Sequence, residues 1–246
     1  MAGNFGKPFL TAEWRNLAML NYEIDPAVLS PFVPRGTELD LWNGKTFVSM
    51  VGFLFLNTRV LGLPIPFHQN FEEINLRFYV RRKAEDGWRR GVVFIKEIVP
   101  RLAIALTARW LYNENYVALP TGHVICHSKE RVENIESAKY YWTFRKRAQF
   151  IELITCDSPS EAAAGSEEEF ITQHYWGYSM QKEGGTIEYR VDHPAWRIWQ
   201  TKTSRLECDV ERLYGAPFMK WLSGKPSSAF LAEGSPVIVF SGRRIG

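Results

Sequence analysis

One lysine stands inside an otherwise apolar run, VFIKEIVPRL from Val93 to Leu102, and an amine in that setting is the residue type that Schiff-base chemistry requires. An ordinary lysine is neutral in only about one molecule in 2,500 at pH 7. Making it mostly neutral takes about 4–5 kcal/mol, which burial and a cation at about 5 Å can supply together. Lys96 has the apolar neighbours, and Arg101 is close in sequence. Against that role, Glu97 is adjacent, and strand alternation groups Lys96 with Val92, Phe94 and Ile98. The plainer reading is a strand lysine whose stem packs while its amine reaches water.

A second row of polar residues, Glu73, Asn75, Arg77 and Tyr79, shares one face of the alternating stretch Phe71 to Arg82. Such a face usually meets solvent. In a closed barrel it would instead line the mouth, where Arg77 suits a carboxylate or another anion. Arg109 stands among apolar residues and, if buried, needs a partner from the protein or a ligand. His174, Tyr175 and Trp176 add titratable and aromatic groups, as does His193. His193 follows Asp192, but neighbours on a strand point opposite ways, so that pairing is not implied.

His123 and His127 flank Cys126, yet on a strand they sit about 13 Å apart, too far to share one ion. No metal and no cofactor are expected. Glycine-rich nucleotide loops, a Gly-x-Ser-x-Gly elbow and His-Glu-x-x-His are all missing from the sequence.

The elements that must position these residues are mostly strands. Trp14 to Ile24 reads as one, and Asp25-Pro26 opens a short helix to about Phe32. Leu39 to Trp42, Asn43-Gly44 and Thr46 to Leu56 read as a hairpin. Phe71 to Arg82 and Gly91 to Val99 follow, with a turn at Asp86-Gly87, and the stretch from Pro100 reads as a helix. Further strands are expected at Val117 to Val132 and, as one long ribbon, at Lys139 to Thr155. Asp157 to Glu169 reads as a solvated acidic loop. Strands are then expected at Phe170 to Met180, at Thr186 to Asp192 and from Arg197 on. A helix at Ala216 to Leu222 and a closing strand from Ser235 to Gly242 complete the chain. This pattern predicts a mainly β, β-rich α+β barrel or sandwich in one domain spanning residues 1–246.

Composition narrows the classes. Net charge is only +3, with acids and bases interleaved, so nucleic acid is not an expected partner. The longest apolar run, Met50 to Leu56, is far short of a membrane-spanning helix. The N-terminal residues lack the pattern of a secretory signal, and three scattered cysteines form no disulfide framework, so a cytoplasmic home is expected. Sixteen Phe, ten Tyr and nine Trp must mostly be buried or wall a pocket.

The phrases FEEINLRFYV, LAIALTAR, EEFITQHYWGY and EYRVDHPAW, in that order, resemble the uncharacterised YqjF-like family, the domain of unknown function 2071, from about Trp14 to Ser241. The resemblance implies the fold of acetoacetate decarboxylase, a β-rich, cone-shaped barrel with few helices. Those decarboxylases carry Glu-Ile, then proline and a lysine pair, of which one lysine forms the Schiff base. Here Glu97-Ile98-Val99-Pro100 is followed by Arg101-Leu102, and no lysine pair exists. Arginine stays protonated and cannot be the nucleophile. Three functions stay open. One is binding of a small organic acid or oxo acid by aromatics and arginine. Another is a lyase using Lys96. The last is an interaction or homo-oligomerisation module presenting aromatics such as Trp42 or Trp221.

Overall fold

A computed structural model describes residues 7–100, 115–156 and 158–245. Seven strands pair into a closed ring. Three come from the first part of the chain, β1 (Pro8–Ile24), β3 (Thr46–Val60) and β5 (Phe71–Ala84). The other four are β6 (Gly87–Val99), β12 (Trp176–Met180), β13 (Thr186–Asp192) and β15 (Ser228–Phe240). Their order is β13-β12-β6-β5-β3-β1-β15, and Val191–Val239 and Asp192–Ile238 pairing joins the two ends. A second sheet continues from β15 through β14 (Arg197–Glu207), β10 (Arg147–Thr155) and β9 (Ile135–Phe144) to β8 (Thr121–His127). Short strands β2 (Glu38–Leu39), β4 (Leu63–Pro64), β7 (Tyr116–Ala118), β11 (Ser160–Glu161) and β16 (Arg243–Ile245) attach at the margins.

The helices are short: α1 (Pro26–Leu29), α2 (Glu167–Thr172), α3 (Val210–Tyr214) and α4 (Ala216–Leu222). Among the described residues, no helix is long and apolar enough to cross a membrane. The hydrophobic interior divides in two. Leu17, Met19, Phe53, Phe55, Phe71 and Val92 belong to the ring's inner cluster. Leu20, Leu76, Phe78, Tyr140, Trp142 and Phe218 belong to the cluster between the ring, the second sheet and the last two helices.

Long strands must curve to close a ring, and bulges supply the bend by shifting which residues face inward. Leu10 and Trp14 face inward in β1, and so do Leu17 and Met19; the change of parity falls at Asn16, with φ of 55°. In β3 the change from Phe53 and Phe55 to Thr58 and Val60 falls at Asn57, also at φ 55°. Asparagine tolerates that left-handed conformation. The third shift lies in β6, where Arg77 pairs with Phe94 but Leu76 pairs with Lys96. Ile95 is the extra residue, so Lys96 leaves the face of Val92 and Phe94 and Glu97 takes the inward position.

Several boundaries differ from the sequence expectation. β1 starts at Pro8 and β3 runs to Val60. Asn43-Gly44 does turn with positive φ, but it closes only the single Trp42–Lys45 bridge, because β2 pairs with β5. The strand expected to reach Val132 ends at His127. The ribbon from Lys139 to Thr155 is a hairpin, turning at Arg145 and Lys146 with φ of 49° and 62°, residue types that carry no turn signal. Phe170 to Thr172 is helical, since Ser166 caps α2 by accepting from the Glu169 N–H and Glu169 reaches back to Gly165 N–H. The helix expected after Pro100, with Arg101 and Arg109, lies outside the described residues.

Candidate active site

The ring encloses a cavity of about 220 Å³. Its walls are aromatic, with Trp14, Phe53, Phe55, Phe71, Trp176 and Trp196 facing the space. Trp14 meets Phe53, Phe55 and Trp196 edge-on at 5.6, 5.8 and 6.4 Å between ring centroids. The polar floor comes from three strands and two connecting segments. β5 supplies Glu73, Asn75 and Arg77, β6 supplies Glu97, and β7 supplies Tyr116. His174, between α2 and β12, and His193, just after β13, complete it.

The polar face of β5 is therefore turned inward. Glu73, Asn75, Arg77 and Tyr79 are 3%, 1%, 8% and 1% exposed, so solvent is not what that face meets. Asn75 donates Nδ2–H to Glu73 Oε1 at 2.9 Å. Burial pushes the Glu73 carboxyl up to about 7, against the opposing pull of Asn75, Arg77 and Tyr116. Tyr79 lies beneath the cavity lining, its hydroxyl on Ser49 Oγ at 2.6 Å and its ring between Arg77 and His174. Among the described residues no carboxylate forms an ion pair with Arg77, and its Nε has no hydrogen-bond partner.

His174 is held from behind by Asp40. Its Nε2 lies 3.3 Å from Asp40 Oδ2, and the same oxygen accepts from Arg90 Nε at 2.6 Å. Burial raises the Asp40 carboxyl, but hydrogen bonds from His174 and Arg90 outweigh it and leave the group below its ordinary value. Burial lowers His174 to about 4, so the imidazole is neutral at pH 7. A neutral ring facing a carboxylate donates its one N–H there, which fixes the proton on Nε2 and leaves Nδ1 an acceptor. That Nδ1 is buried without a partner among the described residues.

His193 donates Nδ1–H to the Pro194 carbonyl at 2.8 Å and stacks on Trp196 at 4.2 Å, and its pKa is lowered first by burial. Asp192 pairs with Arg190 instead of His193. Tyr175 packs at a tilt against His193 but does not line the cavity, whereas Trp176 does. Lys96 is on the opposite side of the sheet. Its Nζ donates to the Leu213 carbonyl, over the Tyr214 ring, and burial lowers its pKa. His123 and His127 engage Glu72 and the Val132 carbonyl separately. Trp42 and Trp221 are half-buried: Trp42 bonds the Gly165 carbonyl and Trp221 packs on the outer core.

The sequence reading missed Glu97, Tyr116, Asp40 and Arg90. Glu97 carries a signal, a charge inside an apolar run, but simple alternation sets it on the face opposite Phe94. Asp40 and Arg90 are 50 residues apart, and nothing local joins them.

The fold of this chain is shared with acetoacetate-decarboxylase-like proteins. The acetoacetate decarboxylase of Legionella pneumophila superposes with a TM-score of 0.66, covering 98% of this chain and 88% of its own, at 12% identity. The enduracididine biosynthesis enzyme MppR, in complex with pyruvate, gives 0.67 over 98% and 91% at 12% identity. An acetoacetate decarboxylase-like enzyme from Sphingomonas wittichii RW1 gives 0.65 over 97% and 94% at 13%. These likenesses are of fold. The chain itself belongs to the DUF2071 family, described as an uncharacterized conserved protein, whose pattern it matches over residues 11–236. The protein YqjF of Bacillus subtilis (strain 168) is 26% identical over 209 residues, 82% of this chain and 79% of that one.

Proposed function

We propose that the ring cavity binds a small organic acid, with Arg77 as the anchor for its carboxylate. The observation that carries this reading is the Arg77 guanidinium itself. It is buried on the cavity floor, and among the described residues its Nε is unpartnered. A buried cation without a close counterion is costly unless a ligand provides one, and a guanidinium matches a carboxylate in shape and charge. The aromatic walls suit the apolar remainder of such a ligand. MppR, which shares the fold, is described with pyruvate bound.

Schiff-base chemistry through Lys96 finds no support in this geometry, because the amine is outside the ring and engaged by Leu213. Isothermal titration with a panel of small carboxylates tests the reading. Binding by some members, abolished in Arg77→Met, is the expected result. Binding that survives this substitution, or none across the panel, would sink it.

A further inference from the structure

On the cavity floor Arg77 Nε, Asn75 Oδ1 and His174 Nδ1 are buried with no hydrogen-bond partner among the described residues, and in the surrounding wall so are Trp14 Nε1 and Thr58 Oγ1. The chemistry of the floor atoms is unequal. Arg77 presents a donor, while Asn75 directs one amide N–H to Glu73 and leaves its carbonyl oxygen unpartnered. His174 has spent its one N–H on Asp40 and presents a lone pair. These groups are neighbours. Asn75 and Arg77 are alternate residues on the inward face of β5, and the Arg77 Cζ and the His174 ring lie 5.9 and 4.6 Å from the Tyr79 ring centroid. A fitting ligand must therefore bring an acceptor to Arg77 and a donor to the other two.

Resting on the carboxylate reading above, we propose that the ligand is a hydroxy acid, its carboxylate on Arg77 and its hydroxyl donating to Asn75 Oδ1 or His174 Nδ1. A keto oxygen at the same place would set lone pairs against lone pairs and leave both acceptors unpaired, each at a cost of about 1–3 kcal/mol. An ammonium group would donate, but it would bring a second cation beside Arg77, and its desolvation is far costlier than that of a hydroxyl. A single hydroxyl has one proton and serves one acceptor at a time.

The test is calorimetric titration of the full chain at pH 7 with three acids of one carbon skeleton: 2-hydroxy-4-methylpentanoate, 4-methyl-2-oxopentanoate and leucine. The hydroxy acid is expected to bind more tightly than the oxo acid by at least about tenfold, the scale of one buried acceptor left unpaired. Leucine is expected to bind weakest. In Asn75→Leu a several-fold narrowing of the hydroxy-to-oxo ratio assigns the hydroxyl to Asn75, and an unchanged ratio assigns it to His174. Equal or tighter binding of the oxo acid or of leucine by the unaltered protein would overturn the hydroxy-acid assignment while leaving the carboxylate reading intact. Failure of all three and of every other carboxylate would overturn both. The ratio in the unaltered protein decides the matter even where the variant does not fold.

Discussion

Phe94 and Lys96, two residues apart on one strand, lie on opposite sides of the sheet, because Ile95 between them is a bulge. Were Ile95 an ordinary strand residue, alternation would place the lysine in the cavity with Phe94 and turn Glu97 toward the outer core. The consequence is testable by trapping. Incubation with an oxo acid and borohydride is expected to leave the mass of the protein unchanged. A covalent adduct lost in Lys96→Ala would show that the amine reaches the cavity after all.

Removing the cation from the floor should weaken ligand binding without weakening the fold. Arg77 is buried without an ion pair among the described residues, so Arg77→Met exchanges a costly charge for an apolar side chain of similar length. Stability of this variant is expected to be unchanged or higher by about 1 kcal/mol. Urea denaturation checks this, and a loss of more than about 2 kcal/mol would mean that Arg77 is structurally paired.

Glu73 contributes to stability in the opposite sense from most carboxylates. Its folded pKa is raised to about 7 from an ordinary 4.5, so the folded protein holds this proton more tightly than the unfolded chain. Stability from this group is full below pH 4.5 and is lost as pH rises through 7, by about 3 kcal/mol. His174 works the other way. With a folded pKa of about 4 against 6.5, it costs stability as pH falls below 6.5. The two nearly cancel in the unaltered protein, so the difference between Glu73→Gln and the parent is the informative quantity. Thermal melts should show the variant more stable at pH 8, with the gain disappearing toward pH 4.5.

The same carboxyl should make anion binding depend on pH. A bound carboxylate at Arg77 disfavours charge on Glu73, so binding takes up a proton and tightens as pH falls from 8 to 6. Titration at the two values, in buffers of different ionisation enthalpy, would show that uptake. Glu73→Gln should abolish the dependence, and a dependence that persists in this variant would point to another group.

One wall of the cavity depends on a glycine. Gly177 pairs directly with Tyr189, and a Cβ built on it would fall 2.0 Å from the Tyr189 Cζ. Tyr189 lines the cavity, so Gly177→Ala must push this ring aside. The substitution is expected to cost about 2 kcal/mol, a fall of about 4–8 °C in Tm. An unchanged melting temperature would show that Tyr189 can turn away freely.

How much of this was legible follows from the range of each signal. Asp25-Pro26, Gly184-Gly185 and the Ala216–Leu222 helix are local events and stand where their residues indicate. Alternation in Phe71 to Arg82 was equally readable and defined two faces correctly. It could not say that both faces are buried, because that depends on the ring closing around one of them. The Arg145-Lys146 turn escaped because neither residue type announces positive φ.

By itself the sequence determined the β-rich class, the family resemblance and the set of polar residues on β5, since these rest on periodicity and composition. Tertiary structure alone decided that Glu97 faces the cavity and Lys96 does not. It also decided that Asp40, from 134 residues away, fixes the proton on His174. A bulge exists only as a mismatch between two paired strands, and a tautomer only as a response to a partner. Neither is a property of one segment of chain.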